Sequence, residues 1–243
     1  MLVIGGSGGY NPYLVGQALA GHGYPSLVLA YYGGPDQAQQ FKLIPLEDFE
    51  KALVWLQQQT NARKLVVLGV SRGSEAALLL GTYDPTLVNG VIAIVPSSVA
   101  NYCHCPGEAD KPDNKLVKET WTYRGTPVPS DPTWHESNKG PMPTANETGT
   151  IKVEKIAGPV FLLCAKKDNI WPSCPYQRLI VDRLKAAAVQ PVAIEVGGAD
   201  HFVSTLVPYS PSGDDPEFLV KNQQGREQAW PQLLAFLHRI AQS

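Results

Sequence analysis

Residues Lys64 to Leu80 read KLVVLGVSRGSEAALLL, and this stretch decides the architecture of the chain. Leu65-Val66-Val67-Leu68 is an apolar, largely β-branched run and predicts a fully buried strand. Glu75 to Leu80 (EAALLL) is a good helix former. Between them, Gly69-Val70-Ser71-Arg72-Gly73 is a G-x-S-x-G on a strand-to-helix turn. A turn that sharp lifts the Ser71 hydroxyl above the sheet, and the glycines let the backbone make it without a Cβ clash. The helix N-terminus that follows favours negative charge developing nearby. The bare pattern is common by chance and also fits a tight structural turn. Its flanking strand and helix are what make Ser71 a candidate nucleophile.

Towards the N-terminus, Leu2 to Ile4 predicts a short strand, followed by Gly5-Gly6-Ser7-Gly8-Gly9 and a helix from about Pro12 to Ala20. Counted from Gly6, a G-x-G-x-x-G ends on Asn11, so the dinucleotide fingerprint fails. Two readings remain: a plain glycine turn, or an oxyanion hole whose main-chain N–H groups face the nucleophile turn. Glycine suits the second because a substrate carbonyl must come close to the backbone. Met1 runs straight into what reads as an interior strand, so either the chain is trimmed or the fold does without strands that usually come earlier.

Ser26 to Tyr31 (SLVLAY) predicts the second strand, ended by Gly33-Gly34-Pro35. Leu46 to Gln58 has apolar residues at helical spacing, and Val91 to Val95 (VIAIV) predicts a further strand. Regularity then stops from Pro96 to Thr150, a stretch rich in Pro, Asn, Thr, Lys and Gly with Trp121, Tyr123 and Trp134 scattered through it. A segment this long without structure is usually functional. It predicts a lid or pocket wall inserted over the sheet's C-terminal edge, within a single domain of residues 1–243. The pattern resumes with Pro159 to Ala165, a helix from Gln177 to Ala188, a last strand Val192 to Val196, and a closing helix from Glu227 to Ala241. Strands alternating with helices imply a mostly parallel sheet with helices on both faces.

Candidate groups follow three of those strands: Ser71 after a middle one, Asp168 after the next-to-last and His201 after the last. This Ser…Asp…His order is that of α/β-hydrolases, and open α/β sheets place their sites at these strand ends. An imidazole titrates in the range needed to take a serine proton, and a carboxylate fixes its tautomer and stabilises its cation. The N–H of Arg72 is one expected oxyanion donor, and Gly8 or a neighbour supplies another. Asp200 is the rival acid, but it adjoins His201, so its side chain should point elsewhere. His22, His104, His135 and His238 follow no suitable strand. Glu75, one turn past Ser71, is expected to be structural, buried and hydrogen-bonded beside the elbow helix.

A length of 243 residues, 44% hydrophobic content and 17% charge describe a globular chain. A net charge of −2 gives no reason to expect nucleic acid or an anionic membrane as partner. No apolar run approaches a membrane span. Four cysteines in a chain this size make no disulfide framework, and a reduced, cytoplasmic protein is the expectation. Cys164 is expected in the core strand and Cys174 in a loop near the acid. Cys103-His104-Cys105 invites zinc, but no second ligand cluster is spaced to complete a site. No metal and no cofactor are expected.

With those residues placed, the chain resembles the C-terminal catalytic domain of the acyl-CoA thioesterase and bile acid-CoA:amino acid N-acyltransferase family. Similar stretches are GGSGGYNPYLVGQALAGHGYPSLVLAYYG, GVSRGSEAAL, VEKIAGPVFLLCAKKDNIWPS, and Gly-Gly-Ala-Asp-His201 followed by Pro208-Tyr209. The run from Asp168 to Ser173 is the most specific of them. The resemblance implies cleavage of a fatty acyl-CoA thioester by a Ser (or Cys), Asp, His triad. The family's usual N-terminal β-sandwich domain and the first strands of the hydrolase fold are absent from this sequence. Serine at position 71 is similar to the family's hydrolases more than to its amino-acid conjugating transferases. The related dienelactone hydrolases make a carboxylesterase on small esters the alternative, and a catalytically dead binding protein is the non-enzymatic one. Lys166, Lys167 and Arg124 are the nearest candidates for CoA phosphates, although a solvated surface explains them equally well.

Overall fold

The computed structural model describes residues 1–7, 12–35, 37–103, 118–133, 142–208 and 215–243. The first half of the chain gives β1 (Leu2–Ile4), α1 (Tyr13–Gly21), β2 (Leu27–Leu29), β3 (Ile44–Pro45), α2 (Leu46–Thr60), β4 (Val66–Val70), α3 (Arg72–Tyr83) and β5 (Gly90–Ile94). The second gives β6 (Trp121–Tyr123), β7 (Thr126–Pro127), β8 (Val160–Ala165), α4 (Ser173–Ala186), β9 (Val192–Val196) and α5 (Leu219–Gln242). Six strands pair in the order β2-β1-β4-β5-β8-β9, every neighbouring pair parallel. From β1 the chain winds first to one side, to β2, and then to the other, to β4. The switch point between β1 and β4 is where such sheets open a crevice beyond their strand ends.

Alternation along each strand divides the core. Leu2, Ile4, Val67, Val91, Ala93, Val160 and Leu162 face the helices α2, α3 and α4. Their neighbours Val3, Leu68, Ile92, Ile94, Phe161 and Leu163 face α1 and α5. Successive strand side chains point to opposite faces, so a strand buried on both reads as an unbroken apolar run.

Residues 96–150 carry more regular structure than the sequence predicts. β6 pairs parallel with β3 and antiparallel with β7, forming a small second sheet. Its turn is Arg124-Gly125, with φ of 49° and 73°. Positive φ at both central residues is what a tight two-residue hairpin needs. Trp121 is fully buried, and its ring lies 5.3 Å from Phe41 and 6.1 Å from both Tyr31 and Phe49. Isolated bridges Val99 to Thr150, Asn101 to Asp131 and Tyr102 to Glu119 tie the segment together. Trp134 lies outside the described residues.

Two further expectations need correction. The closing helix starts at Leu219, well before the expected Glu227, and Pro231 stands inside it. The described cysteines are not reduced thiols. Cys164 in β8 is bonded to Cys174 in the first turn of α4, with 5.1 Å between their Cα atoms, and Cys103 is disulfide-bonded too. The chain folds back over a short loop between β8 and α4, which brings Cys164 and Cys174 within bridging range. No described helix is long and apolar enough to cross a membrane.

Candidate active site

Ser71 joins β4 to α3 with φ 55° and ψ −124°. A non-glycine residue seldom adopts this conformation, at a cost of about 1–3 kcal/mol, and it persists only where the surroundings over-determine it. Here the Ser71 N–H donates to the Ile94 carbonyl at 2.9 Å, anchoring the turn to β5. The flanking glycines are set by close backbone approach. A Cβ on Gly69 would stand 2.0 Å from the Gly73 oxygen, and one on Gly73 would stand 2.4 Å from the Gly5 oxygen. No side chain fits at either position, so G-x-S-x-G is the form this turn requires.

Beyond β8, Lys166 N–H donates to the Val196 carbonyl and Lys167 N–H to the Ala199 carbonyl, so the loops after β8 and β9 are laced together. This brings Asp168 to His201. Both Asp168 oxygens lie 2.9 Å from His201 Nδ1, and His201 Nε2 lies 3.0 Å from Ser71 Oγ. Oδ1 of Asp168 also accepts the N–H groups of Ile170 at 3.0 Å and Trp171 at 3.2 Å. Both Asp168 and His201 are buried. The Trp171 ring stands edge-on to the imidazole, 6.0 Å between centroids, and its indole N–H donates to the Val95 carbonyl. A carboxylate on Nδ1 leaves Nε2 with its lone pair towards the serine, the arrangement in which imidazole can take the hydroxyl proton.

Asp200, the rival acid, faces the other way. Its Oδ1 accepts from Phe202 N–H at 2.9 Å and from Asn222 Nδ2 at 2.7 Å, while its own N–H donates to Asn222 Oδ1. It caps the 3-10 turn His201–Thr205 and fastens it to α5. Arg226, fully buried one turn further along α5, donates to the Phe202 carbonyl and the Thr205 hydroxyl. The sequence reading missed Asn222 and Arg226. Their spacing of four residues on a helix that continues into an apolar face is the signal that could have found them.

On the other side of Ser71, the Arg72 side chain runs inward. It donates to the carbonyls of Asn101 at 3.0 Å and Tyr102 at 3.3 Å and to the Thr120 hydroxyl, with its guanidinium 5.3 Å from the Phe41 ring centroid. Nη1 lies 3.0 Å from Glu75 Oε1, an ion-pair contact off the hydrogen-bond line. Glu75 is fully buried and also accepts from Asn101 Nδ2 at 2.8 Å and Trp121 Nε1 at 2.9 Å. Burial pushes its carboxyl above the usual range, against the pull of Arg72 and these donors. Glu75 is thus the buried structural residue expected, and it clamps the elbow helix to Asn101 and Trp121.

The remaining candidates separate. Gly8, His104, Cys105, His135 and Tyr209 lie outside the described residues. Gly6 is the loop residue found against Ser71, where a Cβ would come within 3.0 Å of Ser71 Cβ. Neither Gly6 nor Arg72 donates its N–H to another main-chain group among the described residues. The CoA-phosphate candidates are not brought together. Lys166 pairs with Glu195 at the β9 end of the large sheet, whereas Arg124 turns the small sheet next to α2, whose contacts are with β1 and β2. His22 packs against Trp230, and His238 is bonded to Gln242 on the surface. A cleft of about 270 Å³ lined by Thr82, Tyr83, Thr150, Lys152 and Lys155 lies at the far end of α3. At 1.5 Å per helical residue, Tyr83 is roughly 18 Å from Ser71, so this end of the cleft lies well away from the serine.

The six-stranded parallel sheet, with helices on both faces and a serine elbow at its switch point, defines an α/β-hydrolase fold. Solved structures agree. A sugar hydrolase from Lactococcus lactis superposes with a TM-score of 0.62 at 19% identity, over 98% of this chain and 90% of that one. A dienelactone hydrolase from Klebsiella pneumoniae gives 0.60 at 16%, over 100% and 86%. Within that fold, residues 44–243 match the family described as BAAT / acyl-CoA thioester hydrolase C terminal, and the chain belongs to it. Curated relatives include the mouse peroxisomal succinyl-coenzyme A thioesterase, 24% identical over 86% of this chain and 49% of that protein. Human acyl-coenzyme A thioesterase 6 is 24% identical over 91% and 55%. The chain therefore spans about half the length of the curated relatives it matches.

Proposed function

We propose that this chain is a serine hydrolase that cleaves acyl-CoA thioesters through an acyl-enzyme on Ser71. The observation that carries the reading is the hydrogen-bonded series Ser71–His201–Asp168 in a chain of this family. Ser71 Oγ attacks the thioester carbonyl and its proton passes to His201 Nε2, while Asp168 holds the Nδ1–H and stabilises the imidazolium. The carbonyl oxygen becomes an oxyanion, received by the Arg72 N–H and a main-chain N–H of the glycine loop, Gly8 or a neighbour. When the C–S bond breaks, the CoA sulfur leaves with the proton held by His201. Water then attacks the acyl-Ser71 ester with His201 as base, and the carboxylic acid departs. The segment around Asn101, Thr120 and Trp121 forms the wall of the acyl pocket, fixed where Arg72 and Glu75 grip it.

One observation favours a second reading, a carboxylesterase on oxygen esters. Cys103, Cys164 and Cys174 are in disulfides, and disulfides persist in oxidising compartments. Acyl-CoA belongs chiefly to reducing ones. A rate comparison decides between them: CoA release from short, medium and long acyl-CoAs beside hydrolysis of p-nitrophenyl esters of matching length, with Ser71→Ala as blank. The proposal expects kcat/KM to favour the thioesters. Esters that win at every chain length would replace it with the carboxylesterase.

A further inference from the structure

The oxyanion donor in the glycine loop can be named from two tyrosines that the mechanism above leaves unused. Tyr31 and Tyr32 follow β2, the neighbour of β1. The Tyr31 hydroxyl donates to the Gly5 carbonyl at 2.8 Å in a buried hydrogen bond, and the Tyr32 hydroxyl donates to the Ser7 carbonyl. Both bonds land on the loop that passes the nucleophile, one on each side of Gly6.

In a planar trans peptide the C=O and the following N–H point in opposite directions. The Gly5 carbonyl faces the Tyr31 hydroxyl and the first turn of α3, where a Cβ on Gly73 would strike it. The Gly6 N–H therefore points the other way. Gly6 lies directly against Ser71, its ideal Cβ position 3.4 Å from Ser71 Oγ, and its N–H has no main-chain acceptor among the described residues. Tyr31 is held for this task. Its ring is buried with centroids at 5.1 Å from Phe49, 5.9 Å from Phe41 and 6.1 Å from Trp121, and burial pushes its phenol well above the usual tyrosine range. It stays protonated and can only present its O–H to the carbonyl.

We propose that Tyr31 is a positioning residue which, through the Gly5 carbonyl, aims the Gly6 N–H as the second donor to the oxyanion over Ser71, with Tyr32 bracing the far side of the same loop. The proposal rests on Ser71 being the nucleophile. Trp121, which packs on Tyr31 and is bonded to Glu75, extends the brace to the pocket wall.

The test is Tyr31→Phe, which keeps the ring and removes the hydroxyl, assayed beside Ser71→Ala. Deleting an oxyanion donor costs 10²–10³ in kcat, so letting one drift should cost about tenfold. The expected pattern is that loss in kcat with KM unchanged. Affinity for a trifluoromethyl ketone analogue, which forms the same oxyanion on the serine, should weaken by the same factor, and affinity for the carboxylate product should hold. An unchanged kcat and ketone affinity, or a loss confined to KM, overturns the proposal. If Tyr31→Phe does not fold, Tyr32→Phe is read the same way with a smaller kcat-selective loss expected, and no loss overturns the brace. A dead Ser71→Ala beside a fully active Tyr31→Phe removes the brace alone. Turnover surviving in Ser71→Ala removes the nucleophile, and the brace with it.

Discussion

Asp168 and Glu75 are both buried carboxylates tied to the Ser71 turn, Asp168 through His201 and Glu75 through the helix that follows the serine. Asp168 stands on a loop after β8, where its oxygens take two main-chain N–H groups and the imidazole of His201. Glu75 stands inside α3, where its oxygens take an amide, an indole and a guanidinium that belong to the framework. Burial alone does not tell the chemistry from the scaffold. The partner does: one carboxylate faces an imidazole, a group able to gain and lose a proton, and the other faces groups that cannot.

Two substitutions separate these roles, and the first carries the larger effect. In Asp168→Asn the amide can turn its NH₂ to His201 and favour the wrong tautomer, so kcat should fall by roughly 10³–10⁴ while the melting temperature stays close to wild type. Steady-state kinetics with calorimetry on one preparation reads both. If activity survives, the roles given to Asp168 and Asp200 are exchanged. Glu75→Gln should do the reverse. It leaves the Arg72 guanidinium buried without a counter-charge, and breaking such a pair costs about 3–5 kcal/mol. Urea denaturation should show that loss, with the specific activity of the folded fraction kept within a few-fold. A Glu75→Gln protein as stable as wild type would mean that the Asn101 and Trp121 bonds, not the ion pair, hold the wall.

The same contrast explains what could be read from the sequence. Ser71 and Asp168 were legible because each follows a strand buried on both faces, an unbroken apolar run, and His201 because it follows the β-branched edge strand β9. Local chemistry then points at strand ends without any knowledge of pairing. The polar scaffold was not legible in this way. Asn222 and Arg226 turn polar side chains inward to hold the His201 loop, which breaks the apolar period of α5 and hid its first two turns. Gly225 between them looks like a helix breaker, yet a Cβ there would meet Val196 at 2.6 Å, so it is the close approach of α5 to β9 that requires it. The hairpin at Arg124-Gly125 joins strands of two and three residues, too short for alternation to register. Cys164 and Cys174 are paired across ten positions by the turn from β8 into α4, a contact that composition does not reveal.

That disulfide gives the next prediction in size, because it closes the loop that carries Asp168. Constraining the unfolded chain over so short a loop is worth about 2–3 kcal/mol. Cys164→Ala/Cys174→Ala should therefore lose stability in denaturant without a matching loss of kcat, since Asp168 is also held by Ile170, Trp171 and the Lys166 and Lys167 main-chain bonds. A fall in kcat as large as that of Asp168→Asn would make the bond part of the catalytic apparatus.

A third carboxylate extends the comparison to the surface. Glu195 on β9 takes Nε and Nη2 of Arg178, each at 2.8 Å, and Lys166 at 3.3 Å, more cationic partners than either buried acid has. The Arg178 hydrogen bonds, more than offsetting partial burial, hold its carboxyl below the usual range. A carboxylate whose folded pKa is lowered contributes stability above its unfolded pKa of about 4.3 and loses it as pH falls through the folded value. Arg178 and Lys166 are half exposed, with side chains 58% and 49% accessible, so solvent screens the pair. Exposed pairs contribute only about 0.2–1 kcal/mol. In a protein of this size that is a shift of about 0.4–4 °C. Glu195→Gln should melt that much lower at pH 7, the gap should narrow as pH falls below the unfolded pKa, and kcat should not move. A gap as wide as that of Glu75→Gln would mean that counting cations, not excluding water, sets the worth of a carboxylate in this fold.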